Sequence, residues 1–300
     1  MIEAFHLRAA ERGVTLFSDL TLSFDEGEVW IVTGPPSSGK SLLLRILAGD
    51  RKPDSGDVLA DGESLYGGSP AARSRFRQLS AFVPEALPAD GRTVGDLFRL
   101  SALSAGKISR EERTRREEQL LGLLGVAGTR EVLLRHLSVS ERTRVALAAE
   151  LFRGPKVLFL DTVLANAGKD WADSLTGLFR ALAREGRTIV MLERDMPERL
   201  KAMVGPETWG DPEADTDPRI REAGPFLLFR LSHGDRKAPA GDPPDEPPGE
   251  TPDEAPRVDG TASERPPEGG YFAAHTYLPK SSTAWICRKI LGSRDLTSSG

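Results

Sequence analysis

The sequence predicts an α/β fold with a mostly parallel core sheet and an N-terminal antiparallel part. Three short, continuously apolar runs predict buried strands, at Val29–Val32, Val157–Leu160 and Thr188–Leu192. Segments rich in helix formers separate these runs, and strands that alternate with helices are typical of a parallel sheet. A glycine-rich loop follows the first run directly, and a predicted helix follows the loop. Strand, glycine loop and helix together place this fold among the phosphate-binding ones.

The glycine-rich loop reads Gly34-Pro35-Pro36-Ser37-Ser38-Gly39-Lys40-Ser41, which matches the phosphate-binding pattern G-x-x-x-x-G-K-[ST]. Its backbone N–H groups and the positive end of the following helix would hold phosphate oxygens. We expect Lys40 to reach the terminal phosphates and Ser41 to hold Mg²⁺, which prefers oxygen ligands. The alternative is an ordinary Gly/Ser-rich turn, but the flanking strand and helix favour the nucleotide hypothesis. The residues assigned to ATP binding are Gly34, Ser37, Ser38, Gly39, Lys40, Ser41 and Leu42.

Composition narrows the class of protein. The chain has 300 residues, and a hydrophobic content of 39% is enough for a real core. A net charge of −5 gives no support for nucleic-acid binding. The single cysteine, Cys287, excludes an internal disulfide framework. No apolar run approaches the roughly 20 residues that a membrane span needs, and Met1–His6 shows no secretory signal pattern. Any membrane role would therefore depend on a partner.

The N-terminal third predicts antiparallel strands. Short apolar runs at Thr15–Phe17 and Leu20–Phe24 alternate with turn residues before the phosphate loop. The loop helix is expected to stop near Gly49, and Asp61-Gly62 predicts a hairpin turn. These strands are expected to pack beside the nucleotide loop.

The middle of the chain alternates strand and helix signals. Leu79–Val83 predicts a strand that ends at Pro84-Glu85, and residues 93–135 are rich in helix formers. Ser140 is predicted to cap the next helix. Asp161 follows a buried strand directly, and Phe226–Leu231 predicts a late strand.

The domain organisation follows from a break in composition. Residues 1–233 are predicted to form the nucleotide-binding domain, with a helical subdomain at about 86–150. Residues 234–270 contain nine prolines and carry a net charge of −6, which predicts a disordered, semi-extended linker. Residues 271–300 regain aromatic and basic residues and form either a docking segment or disordered filler.

The order of motifs carries a family resemblance. A phosphate loop, a strand ending in Pro84-Glu85, a helix that starts at Leu137-Ser138 and a strand ending in Asp161 follow one another along the chain. This order resembles the ATP-binding cassette (ABC) ATPases over about residues 1–200. The resemblance implies a phosphate-loop NTPase fold of ABC type that binds ATP and Mg²⁺. It implies Mg²⁺ ligands at Ser41 and Asp161, with Glu85 as a further candidate ligand.

The resemblance also implies partners. Two ABC cassettes sandwich two ATP molecules, each between one chain's phosphate loop and the other chain's signature helix. Here Ser138 and Ser140 lie in the signature. Closure on ATP drives a transmembrane permease, so the chain is expected to be cytoplasmic and peripheral at the inner face of a membrane. The second cassette would be identical or different.

Several positions depart from the family pattern. The family places a glutamate after the strand-end aspartate and a histidine after the next strand, where this chain has Thr162 and Arg194. Glu85 replaces the usual glutamine, and the signature at Leu137–Glu141 reads Leu-Ser-Val-Ser-Glu in place of Leu-Ser-Gly-Gly-Gln. The family has an aromatic residue that stacks on adenine at about the position of Glu11, and Glu11-Arg12-Gly13 contains none. The segment after Asp161, a dimer-contacting loop in the family, lacks the usual proline. Loss of a general base typically lowers the rate by about 10²–10⁴. No residue is therefore assigned a catalytic role, and weak hydrolysis is expected, although ordinary drift explains any one change.

Three functional hypotheses follow. The first is the ATP-binding subunit of an ABC-type membrane transporter with weak hydrolysis at its own site. The second is a nucleotide-responsive regulatory or scaffolding protein that keeps the cassette fold without transport. The third, a nucleic-acid-handling cassette, is disfavoured because the long coiled-coil or zinc insertions of such proteins are absent from the sequence. Copurification with a multi-span membrane protein would distinguish the first two.

Overall fold

The computed structural model describes residues 1–104, 108–194 and 227–230. They form two sheets and seven α-helices. The strands are β1 (Ile2–Glu11), β2 (Val14–Phe24), β3 (Val29–Thr33), β4 (Ser55–Ala60), β5 (Glu63–Ser64), β6 (Ser80–Val83), β7 (Val157–Asp161), β8 (Thr188–Leu192) and β9 (Leu227–Arg230). The helices are α1 (Lys40–Leu47), α2 (Pro70–Leu79), α3 (Val94–Ser104), α4 (Arg110–Leu123), α5 (Val139–Phe152), α6 (Val163–Ala167) and α7 (Lys169–Arg184).

The core sheet has the strand order β6-β7-β8-β3-β9. β6, β7, β8 and β3 pair in parallel, whereas β9 pairs antiparallel with β3 at the edge. Every residue of β3 and β8 is buried, which explains why both strands are continuously apolar in sequence. The predicted α/β fold class with a mostly parallel sheet is confirmed. The carboxyl ends of β3, β6, β7 and β8 meet at one edge, where the candidate site lies.

The second sheet is antiparallel, with the order β2-β1-β4-β5. The two separate apolar runs predicted near residues 15–24 form one strand, β2, because bulges in its pairing with β1 absorb the break in the pattern. Asp61 and Gly62 both have positive φ and join β4 to β5, so the predicted hairpin is confirmed.

Helices α3, α4 and α5 contribute to a buried apolar cluster that also includes residues of β3, β7 and β8. Phe98 of α3 meets Phe152 of α5 edge to face, with ring centroids 5.6 Å apart. The limits of about 86–150 for a helical subdomain remain a prediction. The predicted linker at 234–270 and tail at 271–300 lie outside the described residues.

Sequence patterns missed one helix. Residues 70–79 form α2, where Ser69 caps the helix by accepting a hydrogen bond from the Ala71 N–H and Pro70 occupies its first turn. The pair Ser69-Pro70 is a recognised helix start. The predicted strand at Leu79–Val83 accordingly begins one residue later, at Ser80.

We predict that Gly56→Ala destabilises the fold by about 2–3 kcal/mol. Gly56 has φ of +86°, and an added Cβ would lie 2.5 Å from the carbonyl oxygens of Phe5 and His6. Gly62→Ala is the matched control, since its φ is +80° but nothing lies within 4 Å of an added Cβ. The control should lose only about 1 kcal/mol, the typical penalty of a left-handed conformation. Chemical unfolding of both variants measures the difference, and equal losses would contradict the predicted clash.

None of the helices that the structure describes is long and apolar enough to cross a membrane.

Candidate nucleotide-binding site

The phosphate loop leads from β3 into α1. Helix α1 begins at Lys40, and Gly39 before it has φ of +91°. A Cβ at Gly39 would lie 3.0 Å from the Leu16 Cβ of β2. Glycine is therefore required there for its backbone conformation and for close packing on the antiparallel sheet.

Polar groups of this loop suit an anion. The Lys40 Nζ atom donates hydrogen bonds to the carbonyl oxygens of Gly34 at 2.6 Å and Pro35 at 2.7 Å. This keeps the ammonium group over the loop. The Ser38 hydroxyl is buried and has no hydrogen-bond partner among the residues that the structure describes, and such a group calls for an explanation. A lysine, an unsatisfied hydroxyl and the N-terminus of α1 fit the phosphates of a nucleotide.

The loop meets the end of β7 at Asp161. The Asp161 carboxylate is hydrogen-bonded to Ser41, and the Thr162 hydroxyl donates to its Oδ1 atom at 3.1 Å. Burial raises the pKa of Asp161, the hydrogen bonds from Ser41 and Thr162 act in the opposite direction, and the charge of Glu85 raises it further. A buried carboxylate beside a hydroxyl matches the oxygen chemistry of Mg²⁺. Ser41 and Asp161 are thus the residues that would hold the ion.

Glu85 and Arg194 form an ion pair across this edge of the sheet. The Arg194 Nη2 atom lies 2.5 Å from the Glu85 Oε1 atom, and both side chains are substantially exposed. The Glu85 carbonyl also accepts a hydrogen bond from the Asn166 side chain at 2.7 Å. From the sequence, Glu85 was a candidate Mg²⁺ ligand that adds a negative charge near the triphosphate. The structure instead partners it with Arg194, so their charges offset each other.

Thr162 follows Asp161 and is buried, with φ of +57°. A positive φ is strained for a β-branched residue. The segment expected to be a loop after Asp161 is the short helix α6, whose N-cap, Thr162, makes no side-chain capping bond. A side chain that follows strand β8 instead accepts hydrogen bonds from the first N–H groups of α6.

Glu193, which sequence reasoning missed, supplies that cap. Its carboxylate is only 1% exposed and accepts hydrogen bonds from the N–H groups of Leu164 at 2.8 Å and Ala165 at 3.3 Å. Burial raises the pKa of Glu193 to about 7, and the charge of Asp161 contributes in the same direction. The sequence did contain a signal for this residue, because Glu193 is an acid that directly follows the buried strand β8. Glu193 ties the end of β8 to the start of α6.

The signature residues lie at the start of α5. Ser138, not Ser140, is the N-cap, so the predicted cap was wrong by two residues. The Ser138 hydroxyl accepts a hydrogen bond from the Glu141 N–H at 3.2 Å, and the Ser138 N–H donates to the Glu141 carboxylate at 2.8 Å, which completes a capping box. The Ser140 hydroxyl donates to the Ala167 carbonyl of α6. Among the hydrogen bonds of the described residues, none joins Ser138 or Ser140 to the phosphate loop.

These features define a phosphate-loop nucleotide-binding domain. A family model described as ABC transporter matches residues 17–165. An ABC transporter ATP-binding protein of Pyrococcus furiosus is 32% identical over 186 residues, which cover 62% of this chain and 70% of that protein. This chain therefore belongs to the ABC transporter family of ATP-binding proteins.

Other relatives are longer than the matched region. The taurine import ATP-binding protein of Pseudomonas aeruginosa is 33% identical over 64% of this chain and 66% of its own length. The methionine import ATP-binding protein of Latilactobacillus sakei is 29% identical over 61% of this chain and 53% of its own length. The chain thus spans less than two thirds of both proteins.

Solved structures agree on the fold. A dimeric bacterial ABC transporter cassette aligns with a TM-score of 0.59 at 22% identity, over 65% of this chain and 88% of that one. The same cassette bound to ADP and Pi gives a TM-score of 0.59 at 21% identity. The predicted ABC-type fold is confirmed.

Proposed function

We propose that this chain is the ATP-binding subunit of an ABC-type membrane transporter and holds MgATP at its own phosphate loop. The observation that carries the proposal is that the Ser41 hydroxyl lies close enough to the Asp161 carboxylate to lower the pKa of that group. Ser41 belongs to the phosphate loop and Asp161 to the end of β7, and their oxygen atoms would hold Mg²⁺, which prefers oxygen ligands. Lys40 starts α1 beside them. The assigned loop residues Gly34, Ser37, Ser38, Gly39 and Leu42 would surround the phosphates.

We further infer that the chain hydrolyses ATP weakly at this site. A water molecule attacking the terminal phosphate needs a base or an equivalent orienting group. The Thr162 hydroxyl has no basic function at neutral pH and donates its hydrogen bond to Asp161. The Arg194 guanidinium is paired with Glu85, so it is less available to a phosphate. Glu193 is buried and bonded to α6, which keeps its carboxylate from serving as a base.

The contacts of Ser138 favour a different cassette as the second subunit. Its hydroxyl is engaged by Glu141, and the hydrogen bonds from Ser138 lower the pKa of Glu141, which keeps that carboxylate charged. In a homodimer, each ATP would face this negative charge from one chain and, from the other chain, a site that lacks a general base at Thr162. A partner cassette with an intact catalytic site would bring its own base, while this chain would retain ATP as a clamp.

A groove at one side of the core sheet is our candidate for contact with a permease. It has a volume of about 580 Å³ and lies between the end of α1, helix α2, strand β6 and the end of α5. Arg77 pairs with Asp50 at 3.1 Å, and Arg153 pairs with Glu150 at 2.8 Å. Arg73, which also lines the groove, has no ion pair within the described part of the chain. An acidic side chain on a cytoplasmic segment of the permease would complement it.

Copurification tests this function and separates it from the alternative. We expect tagged full-length chain, expressed in its own cells, to copurify in mild detergent with a multi-span membrane protein and a second cassette. Arg73→Glu should lower the recovered membrane protein about tenfold, since a like charge replaces a complementary one. Arg75→Glu is the matched control, because Arg75 lies on the same helix and pairs with Glu63 away from the groove.

The alternative is a nucleotide-responsive regulatory or scaffolding protein. The ion pair between Glu85 and Arg194 and the Ser138–Glu141 capping box are the observations that favour it, since both engage groups that turnover would use. Recovery of soluble partners only, with no membrane protein, would support this alternative over transport.

A further inference from the structure

A small basic pocket lies away from the nucleotide site, among the helices between β6 and β7. It has a volume of about 230 Å³. Four arginines and one carboxylate line it, and we call it the arginine pocket: Arg99, Arg110, Arg113, Arg130 and Glu131.

Three separate pieces of chain bring these arginines together. Arg99 lies on α3. Arg110 and Arg113 lie in the first turn of α4, three residues apart and so on one face of the helix. Arg130 comes from the segment after α4, and its carbonyl accepts a hydrogen bond from the Gly95 N–H at 2.8 Å. The cluster is therefore a product of the fold and not of one charged run.

Nearby carboxylates satisfy only part of this charge. Arg99 pairs with Asp96. Arg130 pairs with Glu131 at 2.5 Å and lies 3.1 Å from buried Glu117.

The remaining two arginines have no such partner. Arg110 and Arg113 have no ion pair within 4 Å among the described residues, although Arg113 feels the charge of Glu117 at longer range. Within the described part of the chain, two guanidinium groups thus line the pocket without an ion pair, although the charge of Arg110 acts on neighbouring Glu111. Like charges gathered in a cleft concentrate a positive potential there.

One arginine that lines the pocket has a buried hydrogen-bonding atom without a partner. The Nε atom of Arg113 is buried and has no hydrogen-bond partner among the described residues. The Nε atom of Arg130 is also buried, but it lies 3.1 Å from the Glu117 Oε1 atom. A buried N–H group without a partner is unfavourable, and a bound ion is one recognised explanation.

We propose that the arginine pocket binds the dianionic phosphate group of a small ligand, at a site separate from the phosphate loop. A guanidinium group presents two parallel N–H donors that match phosphate oxygens. Two guanidinium groups without carboxylate partners match a group with two negative charges. Free phosphate and a phosphate monoester share this chemistry.

Calorimetric titration of the full-length Lys40→Ala variant tests the proposal, because that change removes the lysine of the phosphate loop. Inorganic phosphate and glycerol phosphate are titrated separately, so the two arms distinguish a free ion from a monoester. We expect saturable binding of at least one of them. Adding Arg110→Gln or Arg113→Gln should weaken binding about tenfold, the loss expected for one charge-assisted hydrogen bond.

Arg115→Gln is the matched control on the same helix. Arg115 is exposed, pairs with Glu112 and does not line the pocket. Binding in this variant should stay within about twofold of the parent, as for other exposed ion pairs. Arg110 is also exposed, so Arg110→Gln decides the test if Arg113→Gln fails to fold by circular dichroism. Absence of binding, an equal response to chloride at matched ionic strength, or equal losses in Arg110→Gln and Arg115→Gln would each overturn the proposal.

Discussion

The purified chain is expected to release phosphate from ATP about 10²–10⁴ times more slowly than a cassette with a glutamate at the position of Thr162. Thr162→Glu alone is expected to leave the rate within about tenfold of the wild type, because residues that act as a unit are non-additive. The new carboxylate would remove the hydrogen bond from Thr162 to Asp161. It would also place another negative charge beside Asp161, Glu85 and buried Glu193, all of which interact electrostatically in this site.

The combination of Thr162→Glu with Glu85→Gln and Arg194→His is expected to raise turnover above that of any single variant. The combined change removes the Glu85–Arg194 ion pair and restores the family's residues at three positions. Thr162→Gln is the matched control for Thr162→Glu, since glutamine has the same shape as glutamate but carries no charge. A phosphate-release assay at saturating MgATP measures all of these rates. Brisk wild-type turnover that depends on Lys40 would contradict the expectation.

Stability should depend on pH through Glu193. Its pKa is about 7 in the folded chain against an ordinary value of 4.5. Between these values the folded chain binds more protons than the unfolded chain, so the free energy of unfolding falls as pH rises. The stabilisation is fully present below pH 4.5 and is lost as pH rises through 7. A shift of this size corresponds to about 3 kcal/mol.

Urea unfolding of the wild type and Glu193→Gln at pH 5 and pH 8 tests this dependence. The advantage of the wild type over Glu193→Gln should shrink by about 3 kcal/mol between the two values. The charges of Asp161 and Arg194 both act on Glu193, and both residues are present in the wild type and in the variant. Glu118→Gln, at an exposed position on α4, controls for the general effect of removing a carboxylate. A constant difference between wild type and Glu193→Gln would show that the burial of Glu193 has no thermodynamic consequence.

Local patterns were enough to predict the fold and to select the residues at the centre of the candidate site. The run Val29–Val32 is apolar because β3 is buried on both faces. The phosphate loop after it is recognisable from the spacing of its glycine, lysine and serine residues alone. Asp161 was identifiable because it ends a buried strand. These signals lie within a few residues of the feature they predict, so one sequence suffices to find them.

Features that depend on distant contacts could not be predicted in this way. Glu85 and Arg194 are 109 residues apart, and only the parallel pairing of β6, β7 and β8 brings them together. Glu193 caps a helix 28 residues earlier in the chain. The wrong cap at Ser140 has a local cause, because Ser138 and Ser140 are both capping residues, and only the fold shows that Ser140 binds Ala167. In each of these examples the hydrogen-bond partner depends on where the fold places the side chain, and the residue type alone does not reveal it.

The central claim is that this chain holds MgATP on its own phosphate loop, and calorimetric titration of the full-length protein with MgATP tests it most directly. We expect saturable binding in the millimolar range or tighter. Lys40→Ala should weaken it at least tenfold, or about 1.4 kcal/mol, while Lys52→Ala, an exposed lysine beyond α1, should leave it unchanged. The absence of binding by the wild type at millimolar MgATP, or equal binding by the Lys40→Ala variant, would contradict the account.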